Sequence, residues 1–229
     1  MPDDEAGSCP IPATHDKLDE AHFFLHMMGG MYHDPDAFRW NMNAFLQALR
    51  SVTFMLQAEP TKPDAFEAWY AKVQVKLQQD LLLRKFHDAR TTVVHKGMLQ
   101  RKSRAFMGLF KHGKPKLGMQ TEVSPFIDTK TLFDLALQHY VGLFIDAEHS
   151  AIGEQIGVER LWIVEEIGDS EILGLCFDAW ARITNVVVEA HNLYGRHENP
   201  EFTCRHHVDT LRVILETDLD PTLPEKWGW

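Results

Sequence analysis

Hydrophobic residues recur along most of the chain at intervals of three and four, the spacing that places them on one face of an α-helix. The clearest example follows Asp34 and Pro35, an N-cap residue with proline at the first helical position, and ends at Glu59 and Pro60. The pattern predicts a long helix with one buried face. The apolar positions of this face are Phe38, Met42, Phe45, Leu49, Val52 and Leu56.

Similar stripes predict a helix on either side of this one. The first runs from Thr14 or His15 to about Met28, and the next starts near Pro63 and continues past Phe86. The connection before Pro63 is short, so the two longer helices are expected to pack as an antiparallel hairpin. A β-branched run at residues 91–94 weakens the helical pattern, which predicts a break near residues 95–97.

The second half of the chain predicts two further helices, one from Thr131 and a long one from Asp169 or Ser170 to Gly195. The expected fold is all-α, a helical bundle of four or more long helices. A small irregular or β-like insertion is expected at about residues 98–130, with Met119–Val123 as a short strand. Residues 1–13 are expected to form a disordered leader, and residues 14–229 a single helical domain with a polar tail from about residue 198.

Composition favours a protein of the cytoplasm. Of the 229 residues, 45% are hydrophobic, enough to build a core without disulfides, and the three cysteines are few and odd in number. No run approaches the roughly 18 apolar residues of a membrane span. The first residues are acidic, unlike a secretory signal, so neither a membrane nor an extracellular location is expected.

Charge is distributed unevenly along the chain. The net charge is −10, yet the segment Arg84–Lys116 contains ten basic residues and one acid, so it carries +9 and the remainder −19. This asymmetry indicates an anionic partner such as RNA at one place on the molecule. The alternative is a solvated basic loop beside the acidic majority of the same chain.

An arginine and a histidine separated by four residues, Arg90 and His95, follow the predicted hairpin and enter the basic segment. Together with the two long helices before it, this motif resembles that of the HEPN (higher eukaryotes and prokaryotes nucleotide-binding) superfamily. The resemblance covers residues 14–97, with Ser170–Leu193 as a closing helix.

The resemblance implies a metal-independent endoribonuclease of toxin or defence type, without a cofactor, that acts as a homodimer with both motifs at the interface. His95 can transfer protons near neutral pH, and the guanidinium of Arg90 matches a phosphate. Thr91 could add a hydroxyl donor. Residues five apart on one helix point about 140° away from each other, so a broken helix or a second chain must bring the pair together. The residues expected to bind the RNA strand are Lys96, Arg101, Lys102 and Arg104.

Two other functions remain open from the sequence. A non-catalytic RNA- or protein-binding module would bind its partner through the first helix, which is rich in methionine and aromatic residues. If the motif is purely structural, Arg90 would pair with a carboxylate such as Asp88, and His95 would cap the end of a helix. In a metal-binding helical-bundle enzyme, histidine clusters would supply the ligands, because His22 and His26 lie four apart on one helical face. The second cluster of candidate ligands is Cys204, His206 and His207.

Overall fold

The computed structural model describes residues 9–140, 155–196 and 212–216. The helices are α1 (Pro12–Gly30), α2 (Pro35–Ala58), α3 (Phe66–Gln79), α4 (Leu81–His95), α5 (Thr129–Tyr140) and α6 (Ile172–Leu193). The strands are β1 (Arg101–Lys111), β2 (Lys114–Val123), β3 (Gln155–Val164) and β4 (Val213–Glu216).

The helices α1, α2, α3, α4 and α6 pack around one large core, to which the predicted stripe of α2 contributes all of its apolar positions. The side chain of Asp34 caps α2 by accepting hydrogen bonds from the backbone N–H groups of Asp36 and Ala37. α2 packs against α1 and α4, whereas α3 lies farther away across a cleft. Within the described residues, no helix is both long and apolar enough to cross a membrane.

The helix predicted to run from Pro63 past Phe86 is divided in two at Asp80, which has an extended backbone conformation. Its carboxylate accepts hydrogen bonds from the backbone N–H of Leu83, at 3.0 Å, and from Arg182 Nη1 on α6, at 2.6 and 2.7 Å. Asp80 therefore caps α4 and ties it to α6. The break expected near residues 95–97 is confirmed, since α4 ends at His95 and Gly97 has a φ of 124°.

An antiparallel sheet of four strands in the order β2-β1-β3-β4 accompanies the helices, so the all-α prediction is wrong and the fold is mixed. Residues 98–130 contain the long hairpin β1–β2 rather than a small insertion, and the predicted strand at 119–123 is the end of β2. The two strands approach closely where Gly108 faces Gly118. A Cβ atom on Gly108 would lie 2.2 Å from the Leu117 carbonyl oxygen, so this position requires glycine.

The buried face of β3 packs against two different cores. Ile156 and Val158, near its start, belong to a small core with α5 and β1. Trp162 and Val164, near its end, belong to the large core of the helical bundle. Alternation along the strand places Arg160 on the same face, at the boundary between the two cores.

Arg160 is fully buried and ties the sheet to the segment that leads into α5. Its guanidinium lies 3.9 Å from the centre of the Trp162 ring, and burial lowers its pKa to about 10. All of its hydrogen-bond acceptors among the described residues are neutral. They are Ser103 Oγ (2.8 Å from Nε), Ile127 O (2.6 Å from Nη1), Thr129 Oγ1 (3.2 Å from Nη1) and Ser124 O (3.2 Å from Nη2).

A second set of buried hydrogen bonds connects β3 to the helical bundle. The hydroxyl of Tyr32, which follows α1, donates to the Arg160 carbonyl oxygen at 3.0 Å and faces the Glu171 carboxylate at 3.2 Å. Trp162 Nε1 donates in return to the Tyr32 carbonyl oxygen at 2.7 Å. The carboxylate of Glu171 also caps α6 through the backbone N–H groups of Leu173 and Gly174. The orientation of the sheet therefore depends on the ends of α1 and the start of α6.

Replacing Arg160 with methionine should lower the free energy of unfolding by about 3 kcal/mol, because several buried acceptors lose their donor at once. Urea unfolding followed by circular dichroism measures the change. Arg104→Met is the matched control, since Arg104 lies exposed on the other face of the same sheet. Equal stabilities of the two variants would contradict the role given to Arg160.

Replacing Asp80 with alanine should lower the free energy of unfolding by about 1–2 kcal/mol at neutral pH, through loss of the α4 cap. Burial raises the pKa of Asp80, but the hydrogen bonds from Arg182 and Leu83 outweigh it and leave the pKa below its usual value. The stabilisation is therefore present above the unfolded-state pKa and is lost as the pH falls through the folded-state pKa.

The difference between wild type and Asp80→Ala should accordingly shrink in urea titrations as the pH is lowered below about 4. Asp64→Ala, an exposed acid ahead of α3, serves as the control and should be nearly neutral at every pH. If the difference in the free energy of unfolding between wild type and Asp80→Ala grew on acidification, the lowered pKa assigned to Asp80 would be contradicted.

Candidate functional site

A cleft with a volume of about 570 Å³ lies between α2, α3 and α4, with one side chain from α6 at its base. It exists because α3 and α4 meet at an angle at Asp80, so that α3 is held away from α2. The tyrosine that bridges the gap, Tyr70, donates its hydroxyl to the Thr53 carbonyl oxygen at 3.2 Å. The apolar floor consists of Leu46, Leu49, Leu77, Leu83, Phe86 and Ile183.

The rim of this cleft is rich in hydrogen-bond donors and positive charge. Arg50 from α2 faces Arg84 and His87, which are exposed on consecutive turns of α4, and Asp88 is the acid among the lining residues. The amide side chains on the rim are Gln57, Gln74 and Gln78. The cleft thus combines an apolar floor with a basic rim, the composition of a site for a ligand that has both an apolar and an anionic part.

Arg50 is held in place without an acidic partner among the described residues. Its Nη1 donates to Thr53 Oγ1 at 2.5 Å, and its guanidinium lies 3.9 Å from the centre of the Phe54 ring. Burial lowers the pKa of Arg50, and the nearby charge of Arg90 lowers it further. Tyr70 acts in the opposite sense and raises the pKa of Arg50. No described carboxylate forms an ion pair with Arg50 or Arg90.

Arg90 lies one turn beyond His87 on the same side of α4, next to Arg50. Its Nε is buried and has no hydrogen-bond acceptor among the described residues, an uncommon situation for a buried donor. No described carboxylate forms an ion pair with it, so its pairing with Asp88 is not observed. An anion placed between Arg50 and Arg90 would relieve the repulsion and give charge-assisted hydrogen bonds to both side chains.

The structure does not bring Arg90 and His95 together within one chain. α4 is continuous from Leu81 to His95, so the predicted pair projects in directions about 140° apart. His95 is exposed at the last position of the helix, and the Thr91 hydroxyl donates to the His87 carbonyl oxygen at 3.0 Å. The hydroxyl proposed for catalysis is thus engaged within its own helix.

The four residues expected to bind an RNA strand do not form one surface. Arg101 is half-buried and donates to the Pro35 carbonyl oxygen at 3.0 Å, and burial lowers its pKa. Lys102 pairs with Glu165. Arg104 lies on the outer face of the sheet, and Lys96 is exposed after α4. The basic segment is therefore divided between structural and solvent-exposed positions.

The two histidines predicted as metal ligands on α1 lie side by side. His22 and His26 face each other with 3.1 Å between their Nε2 atoms, and His22 stacks on Trp180. Burial and the proximity of His26 lower the pKa of His22. The second set of predicted ligands, Cys204, His206 and His207, lies outside the described residues.

Sequence reasoning missed Arg50, Arg84 and His87 as site residues. A signal existed for the two on α4, because Arg84 and His87 lie three positions apart and are therefore neighbours on the helix surface. No comparable signal marked Arg50, whose proximity to Arg90 depends on how α2 packs against α4.

A family model described as Bacteriophage lambda protein ea47 matches residues 3–215. Protein ea47 of Escherichia phage lambda is 27% identical over 157 residues, which are 67% of this chain and 37% of that protein. The chain therefore spans little more than a third of the length of this curated relative. No solved structure matches the chain.

The resemblance to the HEPN superfamily is wrong, because the family model and the curated relative both point to the lambda ea47 proteins instead. The physical reason is visible in α4. An arginine and a histidine five positions apart occur often by chance in a helix rich in basic residues, and here the unbroken helix separates their side chains.

Proposed function

This chain belongs to the bacteriophage lambda protein ea47 family, and from the cleft that its helices form we propose that it is a non-catalytic RNA-binding module. The cleft between α2, α3 and α4 receives a phosphate-bearing part of a single strand. Arg50 and Arg84 line the cleft and supply the positive charge, to which the neighbouring Arg90 adds from outside the lining. The apolar floor accepts the base or sugar attached to that phosphate.

The observation that carries this proposal is the proximity of Arg50 and Arg90 without an acidic partner among the described residues. Most arginines in folded proteins are paired or fully solvated, because burying an unpaired charge is costly. Arg50 is half-buried beside a like charge, and the buried Nε of Arg90 has no acceptor in residues 9–140, 155–196 and 212–216. A phosphate group supplies the missing acceptors in the planar arrangement that a guanidinium matches.

The size and position of the cleft support a strand rather than a duplex. Its volume of about 570 Å³ suits a single nucleotide unit, within the range of roughly 300–1,000 Å³ that is usual for ligand sites. A base that enters a cleft must be unstacked, and single-stranded RNA presents such bases. The amides of Gln57, Gln74 and Gln78 on the rim can donate to and accept from base edges.

Catalysis by Arg90 and His95 would need a second chain, because one chain holds the two side chains apart. The homodimer and the ribonuclease activity thus stay predictions, and binding without cleavage is what the geometry of one chain favours. We place this binding in the cytoplasm, in agreement with the free thiols of Cys9 and Cys176.

Arg50→Gln and Arg84→Gln should each weaken the binding of a fluorescein-labelled single-stranded RNA about tenfold at low salt. Each variant loses a charge-assisted contact with phosphate. Fluorescence anisotropy measures the affinity, and a salt titration should show a slope smaller by about one for each arginine removed. The control is Lys130→Gln. Lys130 is an exposed residue of α5 away from the cleft, so this variant removes the same charge and should leave the affinity for RNA nearly unchanged.

If Arg50→Gln and Lys130→Gln lost equal affinity for RNA, binding would depend on net charge alone. That result would contradict the proposal that the cleft is the binding site. The same samples, incubated and separated on a denaturing gel, should contain intact RNA. Cleavage that persists in chelator and disappears in His95→Ala would replace the binding proposal with the ribonuclease.

A further inference from the structure

Cys9, His15 and His191 lie close together between the start of α1 and the end of α6. None of the three belongs to the basic segment. Cys9 precedes α1, His15 lies in its first turn, and His191 lies in the last turn of α6. The side chains of Cys9 and His15 are half-buried, and His191 is 1% exposed. None of the three belongs to the RNA-binding cleft.

The ligand atoms of these three residues lie within 4.8 Å of one another. Cys9 Sγ is 3.3 Å from His191 Nε2, and the rings of His15 and His191 meet edge to face with 4.6 Å between their centres. Within residues 9–140, 155–196 and 212–216, no other group of three cysteine, histidine or acidic side chains meets this spacing.

We propose that Cys9, His15 and His191 form a zinc site. Tetrahedral coordination with Zn–S and Zn–N bonds of about 2.3 and 2.0–2.1 Å places sulfur and nitrogen about 3.5 Å apart. The observed 3.3 Å between Cys9 Sγ and His191 Nε2 is close to that value. The remaining separations, at most 4.8 Å, close with side-chain rotation of the half-buried Cys9 and His15.

The chemistry of the three donors selects the metal. One thiolate and two imidazoles suit zinc, whereas Mg²⁺ and Ca²⁺ prefer oxygen ligands. Binding requires loss of the Cys9 thiol proton, which passes to solvent, and leaves the site with a net charge of +1 from Zn²⁺ and one thiolate. Three protein ligands leave a fourth position for water or another donor.

A zinc ion here would join two ends of the helical bundle that are 182 residues apart in sequence. The segment before α1 is anchored nearby by Ile11, which is 0% exposed. Zinc binding to the folded chain alone would stabilise it in proportion to the zinc concentration above the dissociation constant. The site is therefore expected to hold α1 against α6.

Cobalt substitution tests the proposal on the full chain. The protein is stripped with chelator, and Co²⁺ is added while the absorption spectrum is recorded. The wild type should bind one equivalent, with visible bands of tetrahedral cobalt and a near-ultraviolet thiolate-to-cobalt band. Cys9→Ser should abolish the thiolate band, and His15→Ala should weaken Zn²⁺ binding by at least about 100-fold in competition with a chromogenic chelator. These two residues are half-buried, so the variants should fold.

Cys204→Ser and His22→Ala are the matched controls, and both should keep the thiolate band and the wild-type affinity. Zn²⁺ should also raise the thermal midpoint of the wild type but not that of Cys9→Ser. No stoichiometric binding by the wild type overturns the proposal. So does a thiolate band that survives Cys9→Ser and is lost in Cys204→Ser, which would locate the metal at another cysteine.

Discussion

The guanidinium of Arg160 is a buried positive charge, and its hydrogen-bond acceptors in the part of the chain that the structure describes are all neutral. Removing a charge from water costs several kcal/mol, so this arrangement persists only when the surrounding groups are held in position. Those groups come from β1 and from the segment leading into α5, while the backbone of Arg160 itself accepts from Tyr32. Only one arrangement of the sheet, α5 and the helical bundle therefore supplies these acceptors to the Arg160 guanidinium. The two hydrophobic cores adjoin at this residue.

The helices could be predicted because each buries one apolar stripe, and the caps at Asp34 and the glycine after α4 have local sequence signals. The sheet was missed because its inward face is partly polar. Ser103 and Arg160 are buried there as hydrogen-bonding partners, whereas sequence patterns assign such residues to the surface. Lys102 and Arg104 on the other face made the segment look like a solvated loop. The division at Asp80 was missed because the apolar stripe continues through it.

Local sequence patterns were also insufficient to predict which residues come together in the candidate sites. Arg90 was found from a local motif, but its assigned partner His95 is on another side of the helix, and its actual neighbour Arg50 is forty positions away. Cys9 and His191 are farther apart still, at 182 positions, and become neighbours only through the packing of α1 and α6. Local spacing identifies residues on one element, whereas sites assembled from several elements depend on the core that packs them.

The proposed binding of RNA by a chain with a net charge of −10 would depend on the range over which charges act. At physiological ionic strength the screening length is about 8 Å, so acids on distant surfaces contribute little to the potential inside the cleft. Arg101 and Lys102, two of the ten basic residues of that segment, are engaged with Pro35 and Glu165 and add little to that potential either. A phosphate in the cleft would therefore meet a local charge, set by Arg50, Arg84 and the neighbouring Arg90. An affinity that arises from a few partly desolvated contacts, and not from a broad basic surface, has a shallow salt dependence and is sensitive to each arginine individually.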